Sequence, residues 1–446
     1  MMNYKINLRT PFSLMLIIAL IGLLMTLTSF AQTSSSIHAS IQQHTNSIYD
    51  TLVQTRRYLH RNPELSGQEK NTSAFISAYL ENLGLEVKTN IGGYGLVGIL
   101  RGDKEGKKIA WRADIDAIHE HKKEEGELAS NNEGVGHHCG HDVHTTIALG
   151  MAEVLAAQKE NLHGTIYFIF QHSEENYQGA LEMIDGGLFD IIDPEEMYAA
   201  HLSPMPSGLV ATKEHYLFAD YKQINITYKK PSDENSISEF TKGIFKDLQN
   251  VAPGSKFWDT RNLMDPNIGL GHPNTIFKNF VTVEKKMKTS VTDKTLTISA
   301  FVSASNAELM KEIPGQLLNK IVDSRYADQL IDIKFGSDIF SYSEKRGNID
   351  NDTDLATKCL KSISDNYGAG SALTLYGIIP DGRGDDFSYF QEKAPCVYFL
   401  LGGSNYSKGI ISMPHTPAFS VDETCIKHGV NYFSSMLVDR INSPMN

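Results

Sequence analysis

The segment HHCGHDVH, residues 137–144, places four histidines, one cysteine and one aspartate in eight positions. Thiolate and imidazole groups are typical ligands of zinc-type divalent ions. Cys139 and His141 are two residues apart, so both side chains can face one site, and Gly140 between them permits a sharp turn. Three further side chains could orient such ligands from behind: His137, Asp142 and His144. The segment predicts a metal site, with a solvated histidine-rich loop as the alternative.

Two pairs of carboxylates stand at the ends of strand-like segments. Asp114 and Asp116 end KIAWRADID, and alternate residues of a strand face the same side. Glu174 and Glu175 follow GTIYFIFQ, a continuous apolar run that predicts a strand buried on both faces. One glutamate could bind a metal ion while its neighbour, with a raised pKa, takes a proton from water. For each pair, solvated carboxylates are the alternative.

Two isolated histidines, His201 in AAHLSP and His415 in MPHTP, each stand beside a proline turn. Either one, taken alone, is more often a packed or surface residue than a ligand. Metal-assisted hydrolysis needs ligands on rigid elements and a base for the attacking water. Because sites in open α/β sheets lie where the strands end, these histidines are candidates to join the other groups.

The elements that must position these side chains alternate between helix and strand. This alternation predicts an α/β domain with a largely parallel sheet. From Asp220 the sequence pattern changes. Apolar and polar residues alternate in DYKQINITYKK and KTLTISAFVS, as in half-exposed strands, and amphipathic helices lie between these segments. A small α+β domain with one solvated sheet face is predicted there. The first pattern returns near Asn351, so one domain is split by an inserted one, with segments at 32–219, 220–345 and 346–446.

The N-terminus has the composition of an export signal. Lys5 and Arg9 precede an apolar run, LMLIIALIGLLMTL, and a small-residue cleavage pattern that ends at Ala31. The run is shorter than the roughly 20 residues that span a bilayer. Residues 1–31 are therefore predicted to be a signal peptide, and the protein to be secreted or periplasmic with no membrane contact after cleavage. An uncleaved anchor is the alternative.

Composition limits the classes of partner. The 446 residues are 41% hydrophobic and 21% charged, which is ordinary for a globular chain of two or three domains. The formal net charge is −12 without a basic cluster, which argues against nucleic acid or anionic membrane as partners. Four cysteines in so long a chain do not form a disulfide scaffold.

The order of the motifs resembles a known family. The motifs are YLHRNPELSGQE, IGGYGLVGIL, WRADIDAI, HHCGHDVHTTIALG, FQHSEE, AAHLSP, DDFSYF and PHTPAFSVDE. Together they resemble the dinuclear-metal amidohydrolases and peptidases typified by hippurate hydrolase, indole-acetyl-amino-acid hydrolases and N-acetyl-diaminopimelate deacetylase, relatives of aminoacylase and carboxypeptidase G. The resemblance runs from about Tyr49 to Val430 and is weakest in the inserted domain.

The resemblance implies a zinc-exopeptidase-like catalytic domain with a ferredoxin-like lid that often forms a homodimer. It implies two divalent metal ions per chain, with Zn, Mn, Co and Ni as candidates. The implied ligands are Cys139, His141, Glu175, His201 and His415. Glu174 corresponds to the catalytic base, and Asp116 is assigned to the catalytic set with it. The implied supporting residues are His137, Asp114, Asp142, His144 and Asp386.

The implied function is hydrolysis of the amide bond of an N-acyl-amino acid or small peptide by a metal-activated water. Several motifs depart from the family pattern. QHSEE replaces Q-P-A-E-E, and Asp385 replaces a glutamate in GDDFSYF. The lid lacks G-x-x-H-A-x-x-P, N-x-I-P and G-T-x-R, whose side chains hold the substrate in relatives. A non-catalytic descendant that binds metal or peptide is therefore the alternative.

Overall fold

The computed structural model describes residues 37–119, 126–336, 348–380 and 384–444. The predicted signal peptide, residues 1–31, lies outside the described residues. Within the described ranges, no helix has both the length and the apolar character needed to cross a bilayer.

The described chain alternates helices and strands for most of its length. The helices are α1 (37–61), α2 (Lys70–Asn82), α3 (His141–Ala156), α4 (Gly179–Asp185), α5 (Leu188–Ile191), α6 (Glu234–Lys246), α7 (Ala307–Val322), α8 (Thr353–Tyr367) and α9 (Thr424–Ile441). The strands are β1 (Glu86–Ile91), β2 (Gly95–Arg101), β3 (Lys104–Asp114), β4 (Ile118–His119), β5 (Val135–Gly136), β6 (His163–Gln171), β7 (Glu196–Pro206), β8 (Val210–Thr212), β9 (His215–Tyr216), β10 (Asp220–Lys229), β11 (Val281–Val283), β12 (Lys288–Val291), β13 (Thr295–Ala304), β14 (Leu330–Phe335), β15 (Asp350–Asn351), β16 (Ala372–Thr374) and β17 (Cys396–Ser404).

The largest sheet among the described residues has eight strands in the order β1-β2-β6-β3-β7-β17-β8-β16. Its four central strands, β6, β3, β7 and β17, run parallel, which confirms the predicted mostly parallel sheet. Since parallel strands end at the same edge, the segments after β3, β6 and β17 begin close together.

The apolar strand β6 separates two hydrophobic cores. Ile166, Phe168 and Phe170 face the core that contains α1, α2, α3, α8 and α9. Tyr167 and Ile169, which alternate with them, face a second core with α4 and α5. The strand is therefore buried on both faces, as its uninterrupted apolar run predicts.

A second, antiparallel sheet in the order β11-β13-β10-β14 occupies residues 220–335, with β12 also paired to β13. Helix α6 follows β10, and helix α7 joins β13 to β14. β11 and β12 pair with the same edge of β13, so counting them as one interrupted strand gives the ferredoxin-like order β-α-β-β-α-β, as expected for the lid. Alternate residues of β10, Ile224, Ile226 and Tyr228, are buried against the two helices. We call this part the lid; the exact domain boundaries stay a prediction.

The segment between α6 and β11, residues 250–280, packs away from the lid's own core. Phe257, Leu270, Phe277 and Phe280 are buried in the second core of the eight-stranded sheet. Backbone N–H groups of Tyr376 and Gly377 donate to the carbonyl of Leu270, at 2.8 and 3.0 Å. We call residues 250–280 the bridging segment, because it belongs to the lid in sequence and to the catalytic core in packing.

Candidate metal centre

The candidate ligands lie at the carboxyl edge of the parallel strands. Asp114 is the last residue of β3, and Glu174 follows β6 by three positions. His201 lies within β7, and His415 lies in the loop after β17. Cys139 stands just before α3, which begins after Gly140 with a left-handed φ of 98°. The glycine thus makes the sharp turn that the sequence predicts.

The structure brings all five expected ligands together; they are Cys139, His141, Glu175, His201 and His415, and we call them the five-residue cluster. Sγ of Cys139 lies 3.2 Å from Nε2 of both His201 and His415. Nε2 of His415 is 3.2 Å from Oε2 of Glu175, and Nε2 of His141 is 3.7 Å from Oε1 of Glu175.

The cluster fits divalent ions by its chemistry and by its unused atoms. Cys139, His141 and His201 form one group whose ligand atoms lie within 4.8 Å of one another, and Cys139, Glu175 and His415 form a second. Among the described residues, buried Nε2 of His141 and Oε1 of Glu175 find no hydrogen-bond partner. Buried polar atoms without partners are costly, so these two atoms suit ion ligation.

Asp116 fixes the ring of His141. Nδ1 of His141 lies 2.9 Å from the backbone carbonyl of Asp116 and 3.1 Å from its Oδ1, so the ring presents Nε2 to the cluster. Burial lowers the pKa of His141, but the negative charges of Asp114 and Asp116 have the larger effect and raise this pKa to about 10. The backbone N–H of Glu175 also donates to Asp116, at 3.0 Å. One carboxylate thus positions two cluster residues.

His144 is held in a supporting position by both ring nitrogens. Its Nδ1 lies 2.6 Å from Oδ1 of Asp114, and its Nε2 accepts a hydrogen bond from the backbone N–H of Leu202 at 2.8 Å. Nδ1 therefore carries the proton. Since Leu202 follows His201, this contact holds the β7 residue that carries a cluster imidazole. The neighbouring His201 is a neutral imidazole, because burial, together with His144, lowers its pKa to about 3.

Glu174 is buried beside the cluster, with Oε2 at 3.8 Å from Nε2 of His141. Burial and then Asp385 raise the pKa of Glu174 well above its usual range. A carboxyl group of this kind can hold a proton near neutral pH. The preceding Ser173 has a left-handed φ of 54°, and its N–H donates to Oε1 of buried Glu69 at 2.8 Å.

Arg112 is a buried cation that the sequence reasoning missed. It is 1% exposed and lies within β3. Its guanidinium reaches Asp114 at 2.6 Å, Asp385 at 3.1 Å and Asp386 at 2.9 Å. Oδ1 of Asp386 also accepts from the side chain of Gln171, at 2.7 Å. The available signal was the arginine inside the otherwise apolar segment IAWRA, because a charge that is buried there has to find counter-charges.

Two of the expected supporting residues, Asp142 and His137, contact side chains of α1. Oδ2 of Asp142 contacts Nδ1 of His60 at 2.8 Å and Nε of Arg56 at 2.7 Å, so it joins α3 to α1. His137 stacks on His60 with ring centroids 6.4 Å apart, and burial lowers the pKa of His137 to about 3. Their contacts anchor the loop that carries Cys139.

The cluster opens into a cavity of about 360 Å³. Glu174 and four of the cluster residues line it: Cys139, Glu175, His201 and His415. This volume lies in the range of pockets that hold small organic ligands. A buried carboxyl group, a cluster of metal-ligand atoms and a cavity thus share one place at the carboxyl edge of the sheet.

This arrangement on a zinc-exopeptidase-like α/β domain defines a metal-dependent hydrolase. A sequence model of the family described as "Peptidase family M20/M25/M40" matches residues 110–439. The chain belongs to this family. The predicted resemblance and the prediction of a metal-dependent hydrolase of amide bonds are thereby confirmed at the level of the family.

Curated relatives match over most of their own length. Thermostable carboxypeptidase 2 of Saccharolobus solfataricus is 31% identical over 389 residues, which cover 86% of this chain and 93% of that protein. N-acetyldiaminopimelate deacetylase of Enterococcus faecalis is 26% identical over 396 residues, covering 87% and 97%. Because these relatives are named as hydrolases, a non-catalytic descendant is not favoured.

A solved structure supports the fold. The YXEP protein of Bacillus subtilis, described as a dinuclear metal binding peptidase from the M20 family, superposes with a TM-score of 0.70. It is 23% identical, and the match covers 90% of this chain and 99% of that one. At this identity the likeness concerns the fold alone.

Proposed function

We propose that the protein is an exported hydrolase that uses two divalent ions to cleave the amide bond of an N-acyl-amino acid or small peptide. The observation that carries this proposal is the position of Glu174. Its carboxyl group is buried, lines the cavity and lies 3.8 Å from the cluster imidazole of His141.

The ligands in this proposal are the five-residue cluster, divided into the two overlapping groups that share Cys139. Bound divalent ions would polarise the substrate carbonyl and make an attacking water more acidic. Glu174 takes a proton from that water while the oxygen of the water bonds to the carbonyl carbon. When the carbon–nitrogen bond breaks, Glu174 returns the proton to the leaving nitrogen, so the products are a carboxylic acid and an amine.

Asp116 acts as a positioning residue in this scheme. It contacts His141 and the backbone of Glu175, and it is not among the described residues that line the cavity. Arg112 has a related part, because it holds Asp385 and Asp386 close to Glu174 and partly balances their charge.

The test is amide hydrolysis by the purified protein after chelation and reloading with Zn²⁺, Mn²⁺, Co²⁺ or Ni²⁺. Substrates are N-acetyl- and N-benzoyl-amino acids and dipeptides, and the readout is release of free amine. We expect amine release that a chelator abolishes and one of the metals restores. Bound metal without release of amine from any substrate would contradict the proposal.

Export is part of the proposal and rests on the composition of residues 1–31. Expression of the full chain in a Gram-negative host should give a periplasmic protein. N-terminal sequencing should begin at Gln32. A cytoplasmic protein that keeps residues 1–31 would contradict export.

We also propose a homodimer formed through the lid. Three large apolar side chains are exposed on α7 and the neighbouring edge strand β14: Leu318, Val322 and Ile331. Leu318 and Val322 lie one helical turn apart, and α7 contacts β14. Exposed apolar side chains on adjoining elements are typical of interaction surfaces. Light scattering should report twice the mass of one chain for the wild-type protein and the mass of a single chain for Val322→Glu. A monomeric wild-type protein would contradict the dimer.

A further inference from the structure

The bridging segment reaches the wall of the cavity. It contributes Thr260, Leu263, Met264 and Leu270 to the residues that line the space beside Glu174 and the cluster. The lid therefore reaches the cavity through this segment, which follows α6, and no described residue of the lid's sheet is part of the lining.

Apart from the metal-ligand groups, most of the side chains that line the cavity are apolar. Strands and loops of the catalytic part supply Phe218, Leu400 and Met413, which join Leu263 and Met264 of the bridging segment. Apart from the cluster, Glu174 and Asp385, no described residue of the lining carries a charge. Such a wall favours apolar groups, because water that leaves it does not have to be replaced by polar contacts.

The bridging segment is held rigidly enough to shape a specific wall. The backbone N–H of Leu270 donates to the carbonyl of Leu263 at 2.9 Å, and that of Ile378 donates to Phe277 at 2.8 Å. The ring of Phe257 packs on Phe277 and Phe280, with centroids 5.2 and 4.9 Å away. Leu263 and Met264 thus sit on a turn anchored on both sides in the core of the larger sheet.

We infer that this cavity selects substrates with an apolar acyl group or apolar side chain next to the scissile amide, and that Leu263 and Met264 of the bridging segment determine this selectivity. The inference rests on the proposed function. A group that enters the cavity beside the metal-ligand atoms meets the apolar side chains that line the same space.

The test compares two substrate series. In one, glycine carries acyl chains from acetyl to octanoyl; in the other, acetyl is joined to amino acids from alanine to phenylalanine. We expect kcat/KM to rise about fourfold per added methylene in at least one series until the cavity is full. A flat profile in both series, with measurable turnover, would overturn the inference while leaving the proposed function intact.

Met264→Glu is the informative variant, because Met264 lines the cavity and is 38% exposed, so the change is compatible with folding. In the substrate series that responds to chain length, Met264→Glu should weaken the rise of kcat/KM with each added methylene. Met264→Gln adds no charge and should weaken that rise less strongly. Ile276→Glu is the matched control, since Ile276 is an exposed apolar residue of the same segment outside the lining. Equal slopes in Met264→Glu and Ile276→Glu would overturn the assignment.

A binding measurement separates this inference from the proposed function. Alkyl hydroxamates from acetyl to octanoyl bind metal and are not amide substrates of this scheme; their affinity for metal-loaded protein is measured by calorimetry. Affinity that grows with chain length in wild type and Ile276→Glu, but not in Met264→Glu, supports the apolar pocket even if no amide is cleaved. Affinity independent of chain length, or no binding, counts against it.

Discussion

Sγ of Cys139 lies 3.2 Å from Nε2 of His415, although the two residues are 276 positions apart in the sequence. The same sulfur lies equally close to Nε2 of His201. Cys139 therefore belongs to both of the groups into which the five-residue cluster divides, whereas His415 and His201 each belong to one of the two.

This sharing predicts different metal contents for two variants. Cys139→Ala should lose most of both ions, because each group loses a ligand, while His415→Ala should keep about one ion per chain. Mass spectrometry of metals in the dialysed protein measures the stoichiometry. Cys425→Ala is the control thiol, buried in the core away from the cluster, and should keep two ions. Two ions in Cys139→Ala would rule out the shared role.

Removal of the Glu174 carboxylate should separate catalysis from metal binding. Glu174→Gln keeps the shape of the side chain but cannot accept the proton, so kcat should fall about 10²–10⁴-fold. Metal content should be unchanged, because the five-residue cluster is intact. The control is Glu182→Gln on α4, whose side chain is 48% exposed. Unimpaired turnover in Glu174→Gln would remove this residue from the reaction.

Loss of the Arg112 guanidinium should destabilise the fold. Arg112→Met leaves Asp114, Asp385 and Asp386 buried without their common cation, and such a broken charge cluster costs about 3–5 kcal/mol of unfolding free energy. Urea denaturation of the metal-free protein measures this. Arg261→Met, at a side chain that is 89% exposed, should change stability very little. A stability equal to wild type in Arg112→Met would contradict the structural role.

Glu69 should make the stability of the metal-free protein depend on pH. Burial, followed by Asp116, raises the pKa of Glu69 from 4.5 to about 7. The folded protein then binds this proton more tightly than the unfolded chain, so the contribution to stability is complete below about pH 4.5 and is lost as the pH rises through 7.

Glu69→Gln cannot ionise but keeps an oxygen that accepts from the N–H groups of Gly67 and Ser173. Its unfolding free energy should therefore decline less between pH 5 and pH 7.5 than that of wild type. Chelator-treated samples and chemical denaturation at several pH values provide the comparison. Gln68→Asn, an exposed neighbour without a titratable group, should follow the wild-type curve. An identical slope in Glu69→Gln would refute the assignment.

Much of the molecule follows from local sequence patterns. The uninterrupted apolar run of β6 requires burial on both faces, and the alternation along β10 requires a sheet with one covered face. The spacing Cys139-Gly140-His141 and the glutamate pair after β6 identify ligand-type chemistry, because two-residue spacing and strand ends are properties of the local backbone. The order of these motifs was sufficient to identify the family.

Other features depend on which strands become neighbours. His201 lies on β7 beside β17, and the loop after β17 returns so that the N–H of His415 donates to the carbonyl of His138 at 2.8 Å. No local pattern specifies that both imidazoles approach one thiol. Likewise, the role of His144 follows from its contacts to Asp114 and Leu202. Arg112 meets Asp386, and the bridging segment meets its apolar neighbours, only in the assembled core. Sequence periodicity indicates which side chains of one segment are buried and which are exposed to water. Which distant charges and apolar side chains meet is decided by the joint packing of all segments.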